Sequence, residues 1–411
     1  MSGPENFAVA RTPRLTAVDA TRGIALLGMV AVHSLYEERS PGHPSTSYLL
    51  FGGRAAAAFA VLAGVGIAFI TGRRRVRRID FGITAAMLGT RALVIGTIGL
   101  LLGYTDASLA VVILPFYALL FLFALPLVFL PSWAVASVGI AVAAVVPPLT
   151  HLLRPRLPVP GLDNFEFGDV VKQPLQYLSE LTITGEYPAL AWIAYICAGL
   201  VIGRLTLSRL KVAITLLGTG VIFAAGAAAV SWVLLHRFGG LTAIWSAQPA
   251  SGLTVPETTE LLNVGGDGTT PTSTAWWLAI DGPHTGTTAD LIGTTGTAFA
   301  VLGLLLLSEH MRGVFARRAI AVALAPLAAA GSMTLTFYTV HIVFLNSDYD
   351  VYTPAAGYAL QVAGVLLVGL AWRATAGKGP LEALVSAIVS RAKRWVEPPR
   401  HQEPVSVDGP V

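Results

Sequence analysis

The sequence predicts an all-α, polytopic membrane bundle of about ten transmembrane helices with both termini in the cytoplasm. Three observations carry this. The 411-residue chain is 54% hydrophobic and only 12% charged, about half the charged share of an ordinary soluble domain. Apolar stretches long enough to span a bilayer recur from end to end. Basic residues gather on one side of those stretches.

Ten segments qualify as spans, at 19–36, 51–71, 82–103, 108–130, 133–153, 187–204, 211–236, 288–308, 322–345 and 353–373; each can cross a hydrocarbon core of about 30 Å. The apolar run of the first begins only after Arg11, Arg14 and Arg22, the positive flank of a signal sequence. It is succeeded by Tyr36-Glu37-Glu38-Arg39 rather than by a small-residue cleavage site, so it reads as a retained signal anchor. With the N-terminus inside, the loops at 72–81, 205–210 and 309–321 and the C-terminal tail are cytoplasmic. Of the 27 Lys and Arg residues, 20 then lie inside, five outside, and Arg54 and Arg91 within spans, while 15 of the 23 carboxylates lie outside. The run at 73–78 casts the strongest vote for this orientation.

Three regions follow: a cytoplasmic N-terminal segment at 1–18, a transmembrane domain at 19–373, and a cytoplasmic tail at 374–411. In the tail, Leu381, Leu384, Val385, Ile388 and Trp395 form one helical stripe with Arg391, Lys393 and Arg394 following, which predicts an amphipathic helix on the inner membrane surface. The end from residue 397 is polar and Pro-rich, the composition of a disordered segment. Two external loops are long, at 154–186 and 237–287. The first carries Asp163, Glu166, Asp169, Glu180 and Glu186, the second Trp245, Trp276 and Trp277. They are either solvated connections or a surface for a sugar-like acceptor.

Several polar residues stand out against this apolar background. Arg22 and His33 are eleven positions apart in the first span, nearly three turns, so they share a helical face about 16 Å apart along the axis. Arg22 also lies three residues after Asp19, a pairing distance; it is either an anchor or a guanidinium turned into the bundle toward a phosphate or carbonyl. A neutral His33 can accept a proton from an acceptor hydroxyl or amine, or carry an acyl group itself. Arg91, near the middle of span three, costs several kcal/mol unless it faces protein or water. Arg54, at the outer start of span two, suits either an oxyanion or the headgroups. His284, in the approach to span eight, is a candidate to face substrate. It converges with His33 and His341 near the external face, but no two of the three have helical metal-ligand spacing, and no metal is expected.

The basic run at 73–78 contains R-x-x-R as Arg74 with Arg77 and Arg75 with Arg78. Guanidinium forks of this kind hold phosphates, those of coenzyme A or of anionic lipids. The lone Cys197, within an apolar stretch, reads as a small buried hydrophobe and excludes an intramolecular disulfide. The absence of a P-loop, a dinucleotide fingerprint and a G-x-S-x-G elbow argues against an ATP-driven pump and a serine hydrolase. No aromatic and basic surface marks a nucleic-acid partner.

The stretch at 14–25, Arg-Leu-Thr-Ala-Val-Asp-Ala-Thr-Arg-Gly-Ile-Ala, resembles the opening of the transmembrane acyltransferase superfamily, which includes heparan-alpha-glucosaminide N-acetyltransferase and the acyltransferase family 3 proteins. Arg22 and His33 match the arginine, ten residues, histidine pattern of the latter, and Arg74 with Arg77 its R-x-x-R element. Residues 51–70, 187–204, 331–338 and 379–382 resemble later blocks of bacterial relatives of the heparan enzyme. The resemblance implies an acyltransferase, and within it an acetyltransferase, that takes its acyl group from cytoplasmic acyl-CoA and delivers it to an extracytoplasmic glycan, glycolipid or other cell-envelope acceptor. It places the protein in the plasma membrane. It implies donor binding by Arg22, Arg74 and Arg77 and catalysis at His33, or at His43 if the heparan enzyme's loop histidine is the guide; the positions of the residues add Arg91 to the donor path and Arg54 and His284 to the catalytic candidates. A transporter or lipid or glycan permease is the competing reading, though the halves show no internal repeat; a structural membrane protein is the third. Oligomeric state stays open.

Overall fold

A computed structural model describes residues 15–161 and 163–396. Most of the N-terminal segment and the polar end from residue 397 lie outside the described residues. Twelve helices of at least twelve residues run through the described chain: α1 (Thr16–Ser34), α2 (Arg54–Ile70), α3 (Phe81–Leu102), α4 (Leu114–Leu127), α5 (Ser132–Leu153), α6 (Ala189–Gly203), α7 (Leu210–His236), α8 (Thr288–Ser308), α9 (Val314–Gly331), α10 (Thr334–Leu345), α11 (Pro354–Thr375) and α12 (Pro380–Val396). The strands among the described residues form one antiparallel hairpin, Glu38–Ser40 with His43–Pro44.

Among the described residues, seven helices are long and apolar enough to cross a membrane, or eight if Pro174–Thr184, bent by 50° against α6, forms one span with it. The helix α1 falls short of that standard because it carries Asp19, Arg22 and His33. Its place in the bundle explains how it tolerates them. Twelve of its 19 residues are buried, and it packs against α2, α8, α9, α10 and α11. A helix surrounded by protein need not be apolar on every face. The outer helices show the opposite pattern: α5 exposes Trp133 and Ile140, α7 Ile222 and Trp232, and α11 Leu367 and Val368, surfaces that suit lipid tails.

The segment expected as one span at 322–345 is two helices. The first ends at Gly331 and the second begins at Thr334, because Met333 leaves helical geometry at φ −133°, ψ 35°. The break leaves the first N–H groups of α10 without intrahelical acceptors. Glu382 of α12 satisfies them: its Oε1 accepts from Leu335 N at 2.7 Å and Thr336 N at 3.2 Å, and its Oε2 from Thr336 Oγ1 at 2.6 Å. A carboxylate at a helix N-terminus also meets the positive end of the dipole. The tail therefore does more than lie on a surface: its first turn is built into the bundle.

Small residues set the closest helix crossings. A side chain at Gly199 of α6 would collide with the carbonyl of Val61 and the backbone of Gly64 in α2. One at Gly331 would collide with the carbonyl of Asp19, fixing the end of α9 against the first turns of α1. Without a hydrophobic drive between helices in lipid, such backbone approach supplies the packing.

Candidate active site

One cavity of about 350 Å³ runs beside α1. At one end it is lined by Arg22, Arg91, Lys378 and Glu382, at the other by His33, Tyr187 and His284, with Leu62, Phe121 and Tyr117 among the groups that complete its wall. The shared face of Arg22 and His33 thus turns to a continuous space, since α1 presents its eleven-residue separation to the cavity. Among the described residues no group of three or more His, Cys, Asp or Glu side chains could hold a metal ion.

His33 heads a chain of side chains that joins three helices or helix ends. Its Nδ1 lies 3.0 Å from His341 Nε2, and His341 Nδ1 lies 2.5 Å from Gln361 Oε1. Gln361 Nε2 in turn donates to Ser34 Oγ at 3.0 Å. The acceptor at the Gln361 end fixes every tautomer behind it. The amide oxygen takes the Nδ1 proton of His341, so His341 Nε2 is the acceptor for the Nδ1 proton of His33. His33 Nε2 then keeps its lone pair, the form a base or nucleophile requires.

His284 belongs to the loop that leads into α8. Thr287 accepts from Asp290 N at 3.1 Å, and the Asp290 carboxylate accepts from Gly286 N at 3.1 Å, so the helix start and the loop hold each other. Its Nδ1 stands 3.9 Å from Glu186 Oε1. Burial holds the His284 imidazole down at about 4, so it is neutral at physiological pH. Burial pushes the Glu186 carboxyl up to about 7; a hydrogen bond from Tyr187 opposes this, and the charges of Asp267 and Glu37 add to it.

The other end is cationic. Arg22 Nη1 contacts Asp19 Oδ1 at 3.3 Å, and its Nη2 donates to the Leu62 carbonyl at 3.3 Å. Arg91 packs its guanidinium against the Phe121 ring at 5.6 Å, and its Nε is buried with no hydrogen-bond partner among the described residues. Lys378 arrives from the short link between α11 and α12. Such a group of cations around an apolar cavity suits an anionic ligand.

Of the residues expected from the sequence, Arg22, His33, Arg91 and His284 line this cavity together. Arg54 is flanked by the lining residues Gly53 and Ala55, but its Nη1 donates to the Leu49 carbonyl at 2.8 Å and it is not itself part of the wall. His43 is exposed on the hairpin and is not among the residues that line the cavity. Arg74 and Arg77 are exposed on the turn after α2. That turn is pinned to the end of α4 by Val76 N donating to the Val128 carbonyl at 3.0 Å and Arg75 Nε to the Phe129 carbonyl at 2.7 Å.

Sequence reasoning missed Gln361, Lys378, Glu382, Glu186 as a partner of His284, and the cavity tyrosines. Gln361 carried a signal, as the lone amide in an apolar span, where a polar group needs a partner. Glu382 carried none, because its role depends on a residue, Thr336, that lies 46 positions earlier in the chain.

A bundle of membrane-length helices around one polar-ended cavity defines a multi-pass membrane protein. The family model described as "Heparan-alpha-glucosaminide N-acetyltransferase, catalytic" matches residues 14–236, more than half of the chain. The protein belongs to that family and is a membrane acyltransferase. Among curated proteins, none matches the chain. The match includes α1 to α7, and with them Arg22, His33 and Arg91; His284, His341, Gln361 and Glu382 lie beyond it.

Proposed function

We propose that the protein is an acetyltransferase of the plasma membrane that takes an acyl group from cytoplasmic acyl-CoA and delivers it to an extracytoplasmic sugar or other envelope acceptor. The observation that supports this reading best is the single cavity joining Arg22, Arg91 and Lys378 to His33 and His284. Ten spans with both termini inside, the arrangement the positive-inside rule favours, turn the cationic end to the cytoplasm and the histidine end outward. In this reading α1, α4 and α6 join the longer helices as spans, and α9 continues into α10 as one span.

The donor enters from the cationic end. Arg22, Arg91 and Lys378 hold its anionic part, and the apolar wall between the ends accommodates the arm that carries the thioester. Arg74 and Arg77, on the exposed turn, meet phosphates or lipid headgroups outside the cavity. At the other end His33 Nε2 takes either the acyl group or the acceptor's proton, and His341 receives the Nδ1 proton that must move when His33 is acylated. The neutral state of this chain suits a nucleophile, since a thioester attacked by imidazole needs a lone pair and not a charge.

The test is vectorial transfer. Proteoliposomes receive radiolabelled acetyl-CoA on the cytoplasmic face, and label is sought on glycans at the external face. Transfer that requires His33 supports the reading. Intact, folded protein that transfers label from no acyl-CoA would sink it, and glycan passage without acyl exchange would favour a permease.

A further inference from the structure

The second imidazole at the outer end is backed by a charge that His33 lacks. Glu186 is not among the cavity-lining residues, while His284 is; the carboxylate lies behind the ring, 3.9 Å from a buried Nδ1 that has no hydrogen-bond partner among the described residues. With Nδ1 turned to Glu186, Nε2 is the ring nitrogen left for a molecule in the cavity. Tyr187 hydrogen-bonds the carboxylate and sets its ring edge-on to His284, with centroids 5.5 Å apart.

The backbone holds His284 in this place at a cost. Its φ is 53°, in the left-handed region that a non-glycine residue rarely adopts, a conformation that persists where the surroundings over-determine it. Those surroundings are specific. Gly268 N donates to the His284 carbonyl at 2.6 Å, and Gly266 N to the Pro283 carbonyl at 3.0 Å. Gly268, at φ 92°, also lies so close to Gly185 and Glu186 that a side chain there would collide with both. One loop therefore locks the histidine and its carboxylate against each other.

The two histidine systems differ in how they end. The chain from His33 through His341 runs on to the neutral amide of Gln361 and the hydroxyl of Ser34, which offer no counter-charge to an imidazolium. His284 has a carboxylate behind it. We infer that His284 and Glu186 form a second proton-handling pair, in which His284 Nε2 takes the proton of the acceptor's attacking hydroxyl or amine and Glu186, as a positioning residue, stabilises the imidazolium that results.

This inference rests on the acyltransferase reading. In the step, the acceptor's oxygen or nitrogen bonds to the acyl carbonyl carbon as that carbon separates from its carrier, the CoA sulfur or His33 Nε2. The electron pair of the broken bond leaves with the carrier atom. The acceptor's proton passes to His284 Nε2 and then to the leaving atom, directly or through water, which returns His284 to neutrality. His33 is thereby left to act on the acyl group.

The pair has a pH signature. The groups facing Glu186 are His284, Tyr187, Asp267, Glu37, Tyr48 and Tyr338, each from a different part of the chain except its neighbour Tyr187. None is a Lys or Arg, and burial holds the carboxyl at about 7. Below that value Glu186 is protonated and offers no counter-charge; above it the carboxylate forms. Transfer therefore rises with pH through about 7.

The experiment compares wild type, Glu186→Gln and Glu186→Asp in proteoliposomes across pH, with size-exclusion profiles to verify folding. The expected result for Glu186→Gln is loss of the limb near pH 7 and a fall of about 10²-fold on the alkaline plateau, while Glu186→Asp keeps a limb and part of the rate. A Glu186→Gln protein with the wild-type limb and rate overturns the inference. Infrared difference spectra supply a readout independent of turnover: a protonated-carboxyl band that disappears as wild type passes through neutral pH and is missing from Glu186→Gln supports it. No such band in wild type overturns it. Folded wild-type protein that shows the band but transfers no acyl group overturns the acyltransferase reading and, with it, the catalytic part of this one.

Discussion

The two ends of the cavity handle buried polarity in different ways. At the histidine end, imidazoles, an amide and a serine hydroxyl satisfy one another in a chain, His33 to His341 to Gln361 to Ser34, and a carboxyl, Glu186, stands behind His284. At the opposite end, guanidinium and ammonium groups line the space, and the carboxylates are committed elsewhere: Asp19 to Arg22, Glu382 to the N-terminus of α10. Fixed cations suit a ligand that arrives already charged. Neutral imidazoles suit a step in which protons and acyl groups change hands, because a neutral ring offers a lone pair and can pass a proton on. The difference teaches that α1 joins a binding end to a chemical end and owes its poor hydropathy to both.

The largest expected effect lies at the chemical end. Replacing His33 by Ala lowers acyl transfer by about 10²- to 10⁴-fold, the usual contribution of a positioned acid or base, whereas His43→Ala leaves it near wild type. Initial rates with labelled acetyl-CoA decide the matter, and a reversed outcome would move the chemistry to the hairpin. His341→Phe removes the group that fixes the His33 tautomer; transfer falls by about 10- to 100-fold, a loss typical of groups that orient a reactive imidazole. Donor affinity should be unchanged in the same protein.

The binding end is probed by Arg91→Ala. Loss of one charge-assisted contact, about 1.5–3 kcal/mol, raises the KM for acyl-CoA by about 10- to 100-fold, while the Arg74→Ala, Arg77→Ala double variant shifts it less. A larger shift for the double variant would place the donor's phosphates on the exposed turn. The smallest effect is on stability. Glu382→Gln keeps the shape of the α10 cap but removes its charge, at about 0.3–1 kcal/mol, read as a small drop in the thermal midpoint with the His33 chemistry intact.

Much of the bundle was legible because a bilayer imposes a simple rule on sequence: apolar runs of sufficient length must be satisfied within themselves. The runs around α2, α3, α5, α7, α8 and α11 obey it and coincide with helices. The run at 322–345 did not, since an apolar stretch is equally compatible with one helix or with two joined at Gly331-Ser332-Met333. The relation of Arg22 to His33 was legible because both sit on one helix with a fixed period. That of His284 to Glu186 was not: it joins two loops almost a hundred residues apart, and nothing in either segment announces the other.

By itself, then, the sequence determined that this is a multi-pass helical membrane protein, that a cation and an imidazole share a face of its first helix, and that its opening resembles a family of acyltransferases. These are matters of composition, of helical period and of local motif, which a chain carries wherever it folds. Only the tertiary structure decided that His33 is tied to His341 and Gln361, that Glu382 caps a helix broken from its predecessor, and that His43, Arg54, Arg74 and Arg77 stand outside the cavity wall while Lys378 is part of it. Those partnerships cross between helices and loops distant in sequence, and their existence depends on which backbones the glycines at 64, 199 and 331 allow to approach.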